Sequence, residues 1–322
     1  MKSDRILGVS VVTTVLAVGM AGCGRSQPPS PPQAAPPPAV VEVVARGLEF
    51  SAPTEIPSGW TTFRFRNESG MTHFAVIERL PEGIGIREQQ ELAAPVFQQG
   101  MDLINGGDAV AAGKKFGELP EWFQQIVFTG GPGLTGPGRV SETTLFLEPG
   151  NYLLECYVKT NGVFHSYNPD PDAYGMVHQF TVTDAVSSAP EPGADIRIIL
   201  SGDGGMEVQG DTSAGDHEVR VTFEDQKVYE NFVGHDVHLV RLADDTDLER
   251  VAAWMDWSRP DGMETPAPAT FVGGTEEMPA GQTAYFKVSL EPGRYAWIAE
   301  VPDPAGKGML KTFEVTATPA GY

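Results

Sequence analysis

Cys156 has more chemistry to offer than any other residue in this chain. The sequence holds two cysteines, and the other, Cys23, closes an apolar N-terminal run. A thiol with no disulfide partner is either a small buried hydrophobe or committed to other chemistry. His73 lies upstream of it, and His165, Met176 and His178 follow. One soft thiolate, two imidazoles and a weak thioether make the trigonal donor set with an axial ligand that selects copper for one-electron chemistry. Eight residues separate Cys156 from His165, and ten separate His165 from Met176. That loop, rich in Asn161, Gly162, Asn168, Pro169 and Pro171, has to fold back if the donors are to meet.

Strands have to position them. Trp60 to Arg66 alternates, with Phe63 and Phe65 on one face and Arg64 and Arg66 on the other, as a half-buried antiparallel strand requires. Tyr152, Leu154 and Cys156 share a face, which directs the thiol inward. Met176, His178, Phe180 and Val182 share a face by the same period of two, so His178 is an alternative to His165 or Met176 as a ligand. With 37 glycines and 27 prolines punctuating short strands, the expected class is all-β, an antiparallel sandwich.

An internal repeat divides the chain. His73-Phe74-Ala75-Val76-Ile77-Glu78-Arg79-Leu80 returns as His235-Asp236-Val237-His238-Leu239-Val240-Arg241-Leu242, and Gly130-Gly131 as Gly273-Gly274. Leu147-Glu148-Pro149-Gly150-Asn151-Tyr152 returns as Leu290-Glu291-Pro292-Gly293-Arg294-Tyr295. Gly175-Met176 and Phe180-Thr181-Val182 return as Gly308-Met309 and Phe313-Glu314-Val315. These landmarks set a first domain at 40–184 and a second at 194–317, joined by a Ser-, Pro- and Glu-containing linker near Ala185 to Gly193. The stretch from His73 to Gly130 is longer than its counterpart. Helix-like apolar spacing over Arg87 to Ile104 and Leu119 to Phe128 reads as a helical insertion at about 86–128, a small lid or packing element. In the second copy Ala299 stands where Cys156 stands in the first. An alanine supplies no thiolate, and His235 and His238, three apart, fall on opposite faces of a strand. The second half reads as a scaffold or docking domain that binds no copper.

The first 22 residues begin with Lys2 and Arg5, continue through an apolar run to Met20, and end in Ala21-Gly22 before Cys23. This resembles a bacterial lipoprotein signal, which implies that Cys23 carries a lipid and anchors the protein to a membrane of the cell envelope, facing periplasm or exterior. Residues 23–39 are proline-rich and favour polyproline II, a semi-rigid spacer of about 40 Å. The chain carries a formal charge of −21, and loss of residues 1–22 leaves it one unit more negative. Such a surface repels phosphate backbones, which excludes nucleic acid, and suits a basic redox partner protein.

In the order of its elements the first copy resembles the cupredoxins, the blue-copper sandwich family. A histidine opens a strand, then come Pro-Gly-Asn-Tyr-Leu-Leu-Glu-Cys, a histidine, and Gly-Met-Val-His-Gln-Phe-Thr-Val. The resemblance extends over each repeat, about Val40 to Thr183 and about Ile196 to Thr316, with the specific motifs in the first only. It implies two tandem Greek-key sandwiches and one copper ion per chain in the first. There His73 and His165 would be imidazole ligands, Cys156 the thiolate and Met176 the axial thioether, serving electron transfer or copper handling. The loop from Cys156 to Met176 is longer than the family's usual one.

No nucleophile elbow, phosphate-binding glycine loop or zinc-protease helix occurs, so no enzyme activity is expected. The alternative to a copper protein is a metal-free interaction module, with Trp254 and Trp257 as aromatic anchors for a partner.

Overall fold

The computed structural model describes residues 38–316 apart from Pro171. The expected signal segment, Cys23 and most of the proline-rich spacer lie outside the described residues. In the first half the strands are β1 (Ala39–Arg46), β2 (Glu49–Ser51), β3 (Glu55–Asn67), β4 (Val76–Arg79), β5 (Val127–Phe128), β6 (Val140–Leu147), β7 (Gly150–Glu155), β8 (Lys159–Thr160), β9 (Val163–Phe164) and β10 (Val177–Val186). In the second they are β11 (Ile196–Ser201), β12 (Gly205–Gln209), β13 (Gly215–Phe223), β14 (Val237–Leu242), β15 (Thr270–Thr275), β16 (Thr283–Leu290), β17 (Gly293–Ile298) and β18 (Leu310–Val315).

These make two tandem Greek-key β-sandwiches of one plan. In the first, β3 serves both layers. Its opening residues Glu55–Ser58 run parallel to β10, and from Gly59 onward it pairs with β6 and β1. One layer is therefore β2-β1-β3-β6 and the other β3-β10-β7-β4-β5. The second sandwich repeats the plan as β12-β11-β13-β16 over β15-β14-β17-β18. β10 runs to Val186, slightly beyond the boundary expected at residue 184.

The two halves are not beads on a linker. β16 pairs antiparallel with β6, matching Tyr285 to Thr144, Phe286 to Thr143 and Lys287 to Glu142, so one sheet of twelve strands crosses from half to half. The pairing satisfies backbone groups on strands that would otherwise be open edges. A 2.7 Å ion pair between Lys287 and Glu142 lies across it.

The repeated landmarks have repeated physical reasons. Tyr152 donates its hydroxyl to the Glu148 carbonyl at 2.8 Å, and Tyr295 does the same to Glu291 at 3.1 Å. Arg79 bonds the Glu148 carboxylate and the Pro149 carbonyl, and Arg241 bonds those of Glu291 and Pro292. Each tyrosine stacks on the phenylalanine of the last strand, Phe180 or Phe313. Gly131 and Gly274 have φ of 141° and 147°. A Cβ would stand 2.1 Å from the Ala75 carbonyl oxygen at Gly131 and 2.2 Å from that of Val237 at Gly274. At both places a neighbouring strand passes where a side chain would be.

The insertion is helical, as expected. Consecutive turns run from Ile86 through a π-turn at Gln89–Ala93 into a helix at Ala94–Asn105, followed by a second helix at Ala109–Phe116. Asp108 caps the latter by accepting from the Ala111 amide. The apolar spacing seen over Leu119 to Phe128 becomes a 3-10 turn at Glu121–Gln125 and the short strand β5, and Leu92, within the helix-like spacing of Arg87 to Ile104, is exposed. Phe97 and Phe116 pack onto Trp257 of the second half, so the insertion covers the seam between the halves.

Because both requirements coincide at Gly131 and Gly274, alanine at either should cost about 3 kcal/mol or more. Gly47→Ala, at φ 58° with open space around it, should cost only about 1 kcal/mol. Urea unfolding of the three variants checks the order.

Candidate metal centre

Four short elements at one end of the first sandwich bring the donors together. His73 precedes β4 and exchanges backbone hydrogen bonds with Thr135, at 3.2 and 2.7 Å. Cys156 follows β7 directly. The loop after it is folded by the β8–β9 hairpin, whose turn residues Asn161 and Gly162 take φ of 54° and 78°. Asn-Gly adopts this left-handed pair readily, so the turn is encoded locally. The hairpin delivers His165, whose amide donates to the Val158 carbonyl at 2.8 Å. Met176 then donates to the His165 carbonyl at 2.6 Å, and Cys156 donates to the Met176 carbonyl at 3.2 Å. The long loop is thus pinned to the strand end at both of its later donors.

The Cys156 sulfur lies 3.4 Å from His73 Nδ1 and 3.9 Å from His165 Nδ1, and the two nitrogens are 3.2 Å apart. A point equidistant from all three lies about 2.0 Å from each, the length of a metal–imidazole bond. All three residues are buried. His165 Nε2 lies 2.9 Å from the Thr160 hydroxyl, which lies 2.8 Å from that of Thr265. Assigning the His165 proton to Nε2 leaves Nδ1 with a lone pair toward the sulfur, the arrangement in which an outer hydrogen bond orients a metal-binding imidazole. Spacing along the chain carried no signal for Thr160 or Thr265.

Burial sets the protonation states. Desolvation lowers His73 to about 4. It lowers His165 to about 3, with a contribution from His73. Both rings are neutral near pH 7 and free to ligate. Desolvation raises the Cys156 thiol to about 12, so without a metal the sulfur keeps its proton.

Met176 is buried beside these residues through its backbone bonds. His178, expected as an alternative ligand, is placed elsewhere. Its Nε2 lies 3.2 Å from the Pro53 carbonyl on the rim of β10, away from the sulfur. The period of two that put it on a face with Met176 fails because β10 begins only at Val177.

Among the described residues the second half holds no equivalent histidine–cysteine–histidine set. Ala299 replaces the cysteine while keeping its backbone bond, donating to the Met309 carbonyl at 3.1 Å. His235 and His238 do not share a site, as expected: the former pairs with Asp225 and the latter with Asp236. Trp254 and Trp257 are buried and are not surface anchors. The Trp257 ring packs on Phe164 and its indole N–H donates to the Asn231 carbonyl.

No family model matches the chain, and no curated protein matches it. Among solved structures, the blue copper protein auracyanin A from Chloroflexus aurantiacus is similar at 22% identity, over 45% of this chain and 99% of its own, with a TM-score of 0.26. A reduced auracyanin from Roseiflexus castenholzii is similar at 24% identity, over 46% of this chain and 99% of its own, with a TM-score of 0.25. A multicopper oxidase is similar at 14% identity, over 86% of this chain and 88% of its own, with a TM-score of 0.20.

The protonation pattern has a direct consequence. Between about pH 6 and 8 the imidazoles, lowered to about 4 and about 3, carry no proton to lose, whereas the thiol, raised to about 12, must lose one when it ligates. Titration calorimetry of Cu(II) binding in buffers of different ionisation enthalpy should report one proton released per ion, and none with Cys156→Ser.

Proposed function

We propose that this protein is an exported, membrane-anchored copper protein whose first sandwich holds one type 1-like copper ion and passes single electrons. The observation that carries the reading is the convergence of His73 with Cys156 and His165, far from it in sequence, at bonding separation in a buried pocket. Two neutral imidazoles and one sulfur suit copper, since soft thiolate and imidazole donors in a trigonal set favour it over harder cations. The bound ion would supply the one-electron couple.

The chain's own residues would do the rest. Thr160 orients the His165 ring. The backbone bonds among Cys156, His165 and Met176 hold the donors in place whichever charge the centre carries. Met176, buried and tied by its backbone to Cys156 and His165, would supply a weak thioether donor to the same ion. Burial of the set favours electron transfer over release of the metal to a carrier, because ligand exchange needs access that a closed site denies. Cys23 would carry the lipid, and the acidic surface would guide a basic redox partner in a salt-dependent encounter.

Adding Cu(II) to the soluble part should produce an intense visible thiolate-to-metal charge-transfer band that saturates at one ion per chain. Cys156→Ser should abolish the band, His165→Ala should weaken binding by at least tenfold, and His178→Ala should leave both unchanged. A colourless adduct whose retention ignores Cys156→Ser contradicts the reading.

A further inference from the structure

The second sandwich carries at its corresponding end a group of side chains that the copper centre does not use. Asp236, His238, Glu276 and Glu300 are all buried, with ligand atoms within 4.8 Å of one another. They lie where β14, β15 and β17 meet the first half. Glu276 donates its amide to the Gly131 carbonyl, and the Tyr157 hydroxyl donates to Glu300 Oε2 at 3.0 Å. Glu300 donates its amide to Asp236 Oδ1 at 2.7 Å. His238 Nδ1 accepts from the Leu134 amide at 3.1 Å, so its proton sits on Nε2 and is donated to Asp236 Oδ2 at 2.8 Å. His238 therefore orients Asp236, and neither of its nitrogens is free to ligate.

That leaves three carboxylates facing one another. Glu276 Oε1 and Glu300 Oε1 are buried and have no hydrogen-bond partner. Among the described residues no lysine or arginine pairs with Asp236, Glu276 or Glu300. Buried carboxylates are expected to be paired, protonated or bound to a cation, because an isolated one is costly to desolvate. Oxygens within 4.8 Å of one another can share one ion at the 2.0–2.6 Å bond lengths of hard divalent cations. We infer that Asp236, Glu276 and Glu300 form a second metal site, selective for a hard divalent cation held by oxygen alone, with Tyr157 and His238 as positioning residues. An oxygen-only set excludes the soft-donor preference of the first centre and suits manganese or calcium. The site also ties the halves together, since Tyr157 comes from the first and the three carboxylates from the second.

The test uses the full chain carrying Cys156→Ser, so that the sulfur-containing centre takes no part, after removal of metals by chelation. Mn(II) is added and followed by the loss of its free-ion paramagnetic resonance signal, and Ca(II) is tested by its displacement of bound Mn(II) and by thermal unfolding. The expected result is one saturable Mn(II) per chain with a raised unfolding temperature. Affinity should fall at least tenfold in the Glu276→Gln/Glu300→Gln double variant and severalfold in Tyr157→Phe. Near-UV circular dichroism establishes that the variants are folded, and the single Glu276→Gln is read in the same way if the double variant is not. With Cys156 restored, the double variant should still bind Cu(II) with an unchanged visible band, which separates this site from the first. The inference is overturned if neither cation is taken up saturably, or if uptake is the same in the folded glutamine variants, which would leave the three groups as protonated acids.

Discussion

The three backbone hydrogen bonds that tie Cys156 to Met176, Met176 to His165 and His165 to Val158 are the constraint on which the metal centre depends. Twenty residues of loop, Tyr157 to Met176, leave the sandwich between the cysteine and the last strand, and a free loop of that length would scatter its donors. The Asn161-Gly162 hairpin consumes part of the length, and the backbone bonds fix its return. What reaches the site is then a pair of carbonyl-anchored residues rather than a flexible tether. The geometry of His73, Cys156 and His165 follows from this closure, with Thr160 setting the rotation of one ring.

The two halves use one framework for different chemistry. Strand pairing places Val76 opposite Glu155 and His238 opposite Ile298, which makes Phe74 the counterpart of Asp236, and Tyr157 that of Glu300. In the first half that pair is aromatic, with Phe74 and Tyr157 edge to face at 4.5 Å between ring centres. In the second it is a pair of acidic residues, with the Glu300 amide donating to the Asp236 carboxylate. The position next to each pair holds Cys156 in one half and Ala299 in the other. The sheet shared through β6 and β16 brings the two ends close enough for the Tyr157 hydroxyl to reach Glu300. Burial without cationic partners pushes Glu276 and Glu300 well above the usual carboxylate range, a consequence of desolvation and of their neighbours Asp236 and Glu277.

Much of this was legible in the chain. The repeat of Leu-Glu-Pro-Gly with a tyrosine two residues on carries its own reason, since that tyrosine closes the corner by bonding back to the glutamate carbonyl. The glycine pairs at 130–131 and 273–274 were legible as landmarks because the backbone there admits no side chain. The soft donors were legible because their types are rare together. What was not legible depends on contacts between the copies. The β6–β16 pairing has no periodic signal in either strand. The burial of Trp257 arises from packing across the seam on Phe97, Phe116 and Phe164, and Trp254 packs on Phe271. The acidic cluster comes from three separate segments, each of which reads alone as ordinary surface glutamate or aspartate. His178 misled because a period of two was extended one residue past the start of its strand.

X-ray absorption at the copper edge of the protein loaded with one equivalent of Cu(II) tests the central claim most directly. The account predicts a first coordination sphere of one short copper–sulfur bond and two imidazole nitrogens, with the sulfur scatterer lost in Cys156→Ser. A sphere of nitrogen and oxygen alone in the unaltered chain would contradict it.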